Sequence, residues 1–395
     1  MNIATEEDII NGRTTDIYFI HTKKILDSYG LGKKIATAEV TVDSIKFEPE
    51  GEQYAIFCGL GDILSIFEGK KIDLYSIPEG TVFFPYSSNG VRIPVISIRG
   101  EYGNFCIYET PLLGSICQAS GVATMTSRVR RVAKDKILLS FGIRRMHPSI
   151  APMLDYATYI GGCDYVSSII GAERLGIEPR GTMPHALIIL FGNQAEAFKA
   201  FDKVIEKNVP RICLVDTYYD EKIESIIACE SVKNIYGIRL DTPSSRKGKF
   251  EDIVKEVRWE LDIRGYKDVK IFVSGGLDEK NIPSLIDAGA DGFGVGTSLS
   301  NAPTINFAFD VVEVDGLPRA KRGKFGGRKF VYRCEKCLNY KVFYEDKVVK
   351  CCGEDIKPIH RQYIKDGKII EKIPEPKKVR EYVLNQLGRL KDGHN

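Results

Sequence analysis

Between residues 137 and 300 of this 395-residue chain, one short apolar run after another ends in a polar or glycine-bearing motif. Ile137-Leu138-Leu139-Ser140 runs into Phe141-Gly142-Ile143-Arg144-Arg145, and Arg211-Ile212-Cys213-Leu214-Val215 into Asp216-Thr217-Tyr218. Ile235-Tyr236-Gly237-Ile238 meets Arg239-Leu240-Asp241, and two glycine turns follow, Ser274-Gly275-Gly276 and Gly294-Val295-Gly296-Thr297. Arginine holds carboxylates and phosphates through two parallel hydrogen bonds. Arg239, inside an apolar run, would be costly to bury without an anion. Asp164, Asp216 and Asp241 could hold ribose hydroxyls or Mg²⁺, although an Asp just before a helix is also a good N-cap. Glycine lets a backbone approach phosphate oxygens closely. His185, in Gly181-Thr182-Met183-Pro184-His185, is a candidate nucleophile or proton carrier. Phe141 and Tyr18 offer flat faces to an aromatic substrate. Together these residues describe a pocket for a phosphorylated, anionic substrate.

Such motifs need a scaffold that collects strand ends. Apolar runs at 137–141, 164–167, 177–181, 211–215, 235–240, 270–274 and 292–295 read as strands. Helical patterns fill 150–160, 184–207, 220–230, 247–264 and 279–288. Strands alternating with helices predict a parallel sheet. Seven or eight such units suggest an irregular, nearly closed (β/α) barrel, whose active site would sit at the C-terminal strand ends. Spacing alone leaves a doubly wound open sheet as the alternative.

The flanks read differently. Residues 1–118 are strand-rich, with runs at 36–42, 53–58, 81–84 and 91–98, and predict a mixed α+β domain. A helix is expected from about 112 to 134, with Arg128, Arg130, Arg131 and Lys134 at a solvated end. After the barrel, at 119–302, a β-rich return at 303–328 carries the hairpin signal Asp315-Gly316 and should complete the N-terminal domain. Lys321–Lys329 reads as a glycine- and lysine-rich linker. Residues 329–395 form a small cysteine module and a tail helix with Val379, Val383, Leu387 and Leu390 on one face.

The chain has ten cysteines. Six are scattered among apolar neighbours and read as small core residues. Cys334, Cys337, Cys351 and Cys352 cluster, which in a cytosolic chain suggests a structural Zn²⁺ rather than disulfides. Because neighbouring side chains tend to diverge, His360 is an alternative to one of the adjacent pair. The net charge of +3 gives no global preference for nucleic acid, and no apolar run approaches a membrane span. The acidic N-terminus MNIATEEDII lacks signal-peptide features, so a soluble cytoplasmic protein is expected.

In order along the chain, these motifs resemble those of the nicotinate phosphoribosyltransferase family, in its zinc-knuckle-bearing prokaryotic or archaeal-like form. Phe141-Gly142-Ile143-Arg144-Arg145 looks like its Phe-Gly-x-Arg-Arg motif. Gly181-Thr182-x-x-His185 is similar to the segment that holds its phosphorylated histidine. Leu214-Val215-Asp216-Thr217-Tyr218, Gly237-Ile238-Arg239-Leu240-Asp241 and Ser274-Gly275-Gly276 resemble further strand-end motifs. Glu109-Thr110-Pro111-Leu112-Leu113, Val312-Glu313-Val314-Asp315-Gly316-x-Pro318-Arg319 and Thr15-Asp16-x-Tyr18 match as well. The resemblance covers about residues 14–325.

The resemblance implies transfer of phosphoribose from phosphoribosyl pyrophosphate (PRPP) to nicotinate, driven by ATP through a phosphohistidine, in a homodimer or larger oligomer with shared sites. Phe141 and, across the dimer, Tyr18 would sandwich the pyridine. Arg144 and Arg239 would bind the nicotinate carboxylate or the phosphates, and Arg145 beside them is a further candidate for substrate binding. Ser274, Gly275, Gly276, Gly296 and Thr297 would cradle the 5′-phosphate. Asp216 and Asp241 would lie near the ribose or Mg²⁺–pyrophosphate, and His185 would carry the phosphoryl group. Thr242-Pro243-Ser244-Ser245 departs from the Ser-Gly-Asp that many members have there. Alternatives are nicotinamide or quinolinate as the base, or a zinc-dependent nucleic-acid-binding protein on a barrel scaffold.

Overall fold

A computed structural model describes residues 2–47, 53–242, 245 and 248–390. They form two compact units, residues 128–301 and residues 1–127 with 302–395.

The 128–301 unit is built on a six-stranded parallel sheet. Its spatial order is Tyr165–Val166, Ile137–Ser140, Gly292–Val295, Lys270–Ser274, Gly237–Leu240, Ile212–Leu214. All six C-terminal ends therefore lie along one rim. The segment that leaves the Tyr165–Val166 edge carries His185 to Thr217, beyond the Ile212–Leu214 edge. That reach shows a sheet curled into a half-barrel rather than laid flat.

The nearly closed barrel expected from seven units is not formed, because one candidate strand is not a strand. Residues 177–181 hold no ladder; Pro179 lacks an N–H, and Arg180 N–H makes a single bond to the Val166 carbonyl, at 2.9 Å. The expected 184–207 helix is two helices, His185–Phe191 and Gln194–Val204, separated by Gly192 at φ +69°. A left-handed glycine at that point is an ordinary helix stop.

The concave face of the half-barrel carries Leu139, Ile212 and Phe272 with Ile137, Phe141 and Tyr165 packed against them. Two glycines make room for the rings. A Cβ on Gly292 would sit 2.6 Å from the Phe272 ring, and one on Gly294 would sit 2.4 Å from Phe141. The alternation Gly292-Phe293-Gly294 thus presents hydrogen atoms inward and buries Phe293 on the other side.

The expected solvated end of the long helix Glu109–Ala133 is instead buried at Arg128 and Arg130. Arg128 donates two hydrogen bonds to the Glu279 carboxylate, at 2.8 and 3.0 Å. Arg130 donates to the carbonyls of Gly162, Lys134 and Lys136 and to Asp164. Burying a guanidinium demands such a full set of acceptors.

The other unit is organised by a seven-stranded antiparallel sheet, in the order Leu317–Pro318, Phe307–Val314, Ile35–Val42, Ile96–Glu101, Ile72–Ser76, Arg361–Lys365, Lys368–Ile369. The post-barrel strand Phe307–Val314 pairs along Ile35–Val42, with a register shift at Thr37/Ala38. Asp315 and Gly316 both take positive φ in the hairpin turn that follows. The run expected at 91–98 is a strand only from Ile96. Lys321–Lys329 is not a free linker. Lys324 pairs with Asp310 at 2.9 Å and Lys329 with Glu39 at 2.7 Å, and all four side chains are largely buried. The tail helix Pro376–Leu387 buries Val379, Val383, Gln386 and Leu387. Among the described residues no helix is long and apolar enough to cross a membrane.

Candidate active site

The rim of strand ends in the 128–301 unit brings together most of the residues singled out above. His185 opens its short helix, and its Nδ1 is 3.1 Å from Thr217 Oγ1. Its Nε2 faces two carboxylates, 3.7 Å from Asp216 Oδ1 and 4.0 Å from Asp241 Oδ2. The imidazole keeps 39% of its surface, so it is pinned at one nitrogen yet reachable.

Asp216 is held from behind. Its Oδ2 accepts Asp241 N–H at 2.6 Å and lies 3.4 Å from Thr242 Oγ1. Its Oδ1 is buried without a hydrogen-bond partner. Burial pushes this carboxyl up to about 6, against the opposing pull of the Asp241 amide, His185 and Arg239. The following loop is fastened by Glu224, whose fully buried carboxylate accepts the N–H groups of Thr217, Tyr218 and Tyr219 at 2.9, 2.6 and 2.9 Å. A carboxylate taking three backbone donors is a strong local anchor.

Arg239 projects from its strand into the same space. Its guanidinium lies 6.0 Å from the Phe141 ring centroid and 4.0 Å from Asp241, and Nη2 donates to the Met183 carbonyl at 3.3 Å. Nε is buried and unpartnered. Burial lowers the guanidinium's pKa, opposed by Asp241 and Asp216. Asp241 in turn accepts the Ser274 hydroxyl at 2.8 Å, leaving Oδ2 open. Gly275 and Gly276 take φ of +92° and +66° in the adjoining turn, and Ser298 Oγ donates to Leu277 O at 2.7 Å, fastening that turn to the Gly296-Thr297 turn. Gly296 lies beside Gly142 at the start of the Arg144–Arg145 turn. Arg144 and Arg145 are exposed and make no ion pair among the described residues.

One sequence expectation falls elsewhere, and one concerns the other unit. Asp164 precedes its strand, and its Oδ2 binds Leu138 N–H and Arg130 at the opposite, N-terminal end of the sheet. It is an ion-pair partner there, not part of the rim. Tyr18 belongs to the other unit, on helix Ile17–Ser28, and is 54% exposed beside the similarly exposed Ile17 and Ile20. Pro243 and Ser244, where the chain departs from the family pattern, lie outside the described residues. Thr242 donates to the buried Glu221 at 2.9 Å. Residues missed by sequence reasoning are Thr217, Glu221 and Glu224. The first sat inside a quoted motif, and the two glutamates lie four and seven residues beyond it on a helix start, where acids look like ordinary first-turn residues.

The cysteine cluster belongs to the other unit. The four Sγ atoms of Cys334, Cys337, Cys351 and Cys352 lie within 4.8 Å of one another. Cys337 and Cys351 are 3.5 Å apart and Cys351 and Cys352 4.0 Å. Leu338 and Cys352 both take positive φ. The second turns the chain sharply enough for adjacent cysteines to converge, which removes the need for His360. That histidine is elsewhere, its Nε2 bonded to Pro94 O at 2.8 Å, with burial pushing the imidazole down to about 4.

The sequence matches the family model for the C-terminal domain of quinolinate phosphoribosyl transferase over residues 122–310 and that for the N-terminal domain over residues 16–120. A nicotinate phosphoribosyltransferase from Mycobacterium tuberculosis is 31% identical over 327 residues, covering 78% of this chain and 67% of the relative. One from Bacillus subtilis is 28% identical over 391 residues, covering 85% and 76%. The crystal structure of a nicotinate-nucleotide pyrophosphorylase from Pyrococcus furiosus superposes with a TM-score of 0.93 at 47% identity, covering 99% of both chains. On these family matches and this shared fold, the chain belongs to the type II phosphoribosyltransferase family of quinolinate and nicotinate phosphoribosyltransferases, and it is a pyridine phosphoribosyltransferase.

Proposed function

We propose that the enzyme makes nicotinate mononucleotide and pyrophosphate from nicotinate and PRPP, with ATP hydrolysis coupled through His185. The observation that carries this reading is Arg239 beside Phe141: an aromatic floor for a flat ring, next to a buried cation whose Nε has no partner among the described residues and which suits the negative charge that the substrates bring. Arg144 and Arg145, on the neighbouring turn and without an ion pair among the described residues, add positive charge for phosphates. The glycine turns at 275–276 and 296–297 take the 5′-phosphate. The pyridine nitrogen attacks the anomeric carbon as pyrophosphate leaves, so little acid–base help is needed. Holding the reactants and stabilising charge on the ribose dominate.

Asp216 Oδ1, buried, and Asp241 Oδ2 are carboxylate oxygens of this rim with no hydrogen-bond partner among the described residues. They suit the hydroxyls of ribose or a Mg²⁺ that arrives with substrate phosphates, since that ion is usually held by one or two carboxylates plus phosphate oxygens. Support for ATP coupling comes from His185: one nitrogen fixed by Thr217, the other beside two acids, and an accessible ring. The phosphoryl group would pass from ATP to the imidazole and then to water.

Four thiolates at the observed spacing suit a tetrahedral Zn²⁺, whose ligand sulfurs lie about 3.8 Å apart when each bond is about 2.3 Å. A full set leaves no open position, so the metal would be structural. The exposed Ile17, Tyr18 and Ile20 support a homodimer or larger oligomer in which Tyr18 reaches a neighbouring copy's site. The function is tested by incubating PRPP with nicotinate, nicotinamide or quinolinate, each with and without ATP, and identifying the nucleotide formed. Nicotinate mononucleotide, increased by ATP, is expected; no mononucleotide in any mixture contradicts the reading.

A further inference from the structure

A second arginine sits on the concave face. Arg180 follows the edge strand Tyr165–Val166, with its backbone N–H fixed to Val166 O at 2.9 Å. Its guanidinium lies 5.1 Å from the Tyr165 ring centroid. Tyr165 is one of the aromatic residues packed on Leu139, Ile212 and Phe272, and it is in register with Leu139, two residues before Phe141. The guanidinium therefore lies over the same lining as Arg239. The two share another property: Nε of each is buried with no hydrogen-bond partner among the described residues.

They differ in what surrounds them. Arg239 has Asp241 at 4.0 Å and feels Asp216, so its charge is already partly answered on the side where ribose would lie. Arg180 has no ion pair among the described residues. A half-buried guanidinium beside a ring, with a buried Nε that has no partner among the described residues, has donors free for an anion. The fork can hold a planar carboxylate through two parallel hydrogen bonds, and the Tyr165 ring beside it offers an aromatic acid a flat neighbour.

We infer that Arg180 binds the carboxylate of the pyridine substrate and is the residue that selects acid over amide. This rests on the pyridine phosphoribosyl transfer proposed above. Arg239 is then left to the ribose and phosphate side of the pocket. The Gly181-Thr182 that follow carry the chain from this carboxylate subsite to His185, so base recognition and the ATP-coupled histidine lie on one short segment.

The test is steady-state kinetics of the full-length enzyme and of Arg180→Gln and Arg180→Lys, with nicotinate and PRPP varied in turn and nicotinamide as a neutral base. Loss of a charge-assisted bond predicts a KM for nicotinate raised about 10- to 100-fold in Arg180→Gln. The KM for PRPP should stay within about twofold, and the preference for nicotinate over nicotinamide should shrink by a similar factor to the nicotinate loss. Arg180→Lys keeps charge but not the fork, so it should fall between. It also carries the test should the glutamine variant melt early. A raised KM for PRPP with that for nicotinate unchanged would overturn the assignment, as would an equal loss with acid and amide. If the wild-type enzyme uses quinolinate instead, the nicotinate reading fails, whereas Arg180 stands or falls on whether Arg180→Gln raises the KM for quinolinate. If no pyridine is used, both fail.

Discussion

Gly294→Ala tests whether the room left for Phe141 is functional. The backbone at 294 is ordinary strand, so alanine brings no conformational penalty of its own. Its added carbon would lie 2.4 Å from Phe141 Cε2 and 2.5 Å from Cδ2, against an ordinary carbon–carbon contact of about 3.5–4.0 Å. Ser274 Cβ, at 3.2 Å, blocks an easy retreat on the other side. The ring must shift by roughly 1 Å, and overpacking of that size costs about 1–3 kcal/mol. Phe141 is only partly buried, so the ring moves toward the pocket and away from its place beside Arg239. If the ring is the floor for the pyridine, a displacement of this size should lower kcat/KM for the base about 10- to 100-fold. The assay is initial-rate kinetics at saturating PRPP, with thermal unfolding of the same preparation. A variant with unchanged kcat/KM would refute the claim that Phe141 bears the substrate, whatever its melting temperature.

Other consequences follow from the same geometry. His185→Ala should abolish stimulation by ATP while leaving basal transfer, and an ATP-stimulated variant would count against the phosphohistidine. Asp216 titrates near 6 when folded, above the 3.8 of an unperturbed aspartate, so the native state retains its proton through that interval. Its contribution to stability is therefore full below about pH 4 and is lost as pH rises through about 6, and Asp216→Asn should flatten this part of a melting-temperature profile. Transfer activity, which needs the charged carboxylate, should rise across the same interval. For the cysteine cluster, metal analysis should find about one Zn²⁺ per chain. Cys334→Ser or a strong chelator should lower the melting temperature by roughly 5–10 °C. A metal-free wild-type protein with the same melting curve would remove the structural role.

The strand ends were legible because period and punctuation are local properties. A run of four or five apolar residues followed by Arg239-Leu240-Asp241 or Ser274-Gly275-Gly276 announces both a strand and its exit. What sequence could not supply was pairing across long separations. Arg128 and Arg130 look like the solvated end of a helix until Glu279 and Asp164 are brought to them. Asp164 likewise looked like a rim acid, although it begins its strand instead of ending it. Lys324 and Lys329, in a glycine-rich run, are occupied by Asp310 and Glu39 from elements far away in the chain. Pro179 interrupts the donors of residues 177–181, and the stretch does not become the seventh strand. Arg180 was overlooked because nothing local marks an arginine between Pro179 and Gly181 as one that returns to the edge strand, where it bonds to Val166.

The most direct test of the central claim is a competition. The enzyme is given PRPP, ATP and equal concentrations of nicotinate, nicotinamide and quinolinate, and the mononucleotides are separated and identified by mass. The account predicts nicotinate mononucleotide as the dominant product. Nicotinamide mononucleotide in excess, or carbon dioxide released in step with nucleotide from labelled quinolinate, would contradict it.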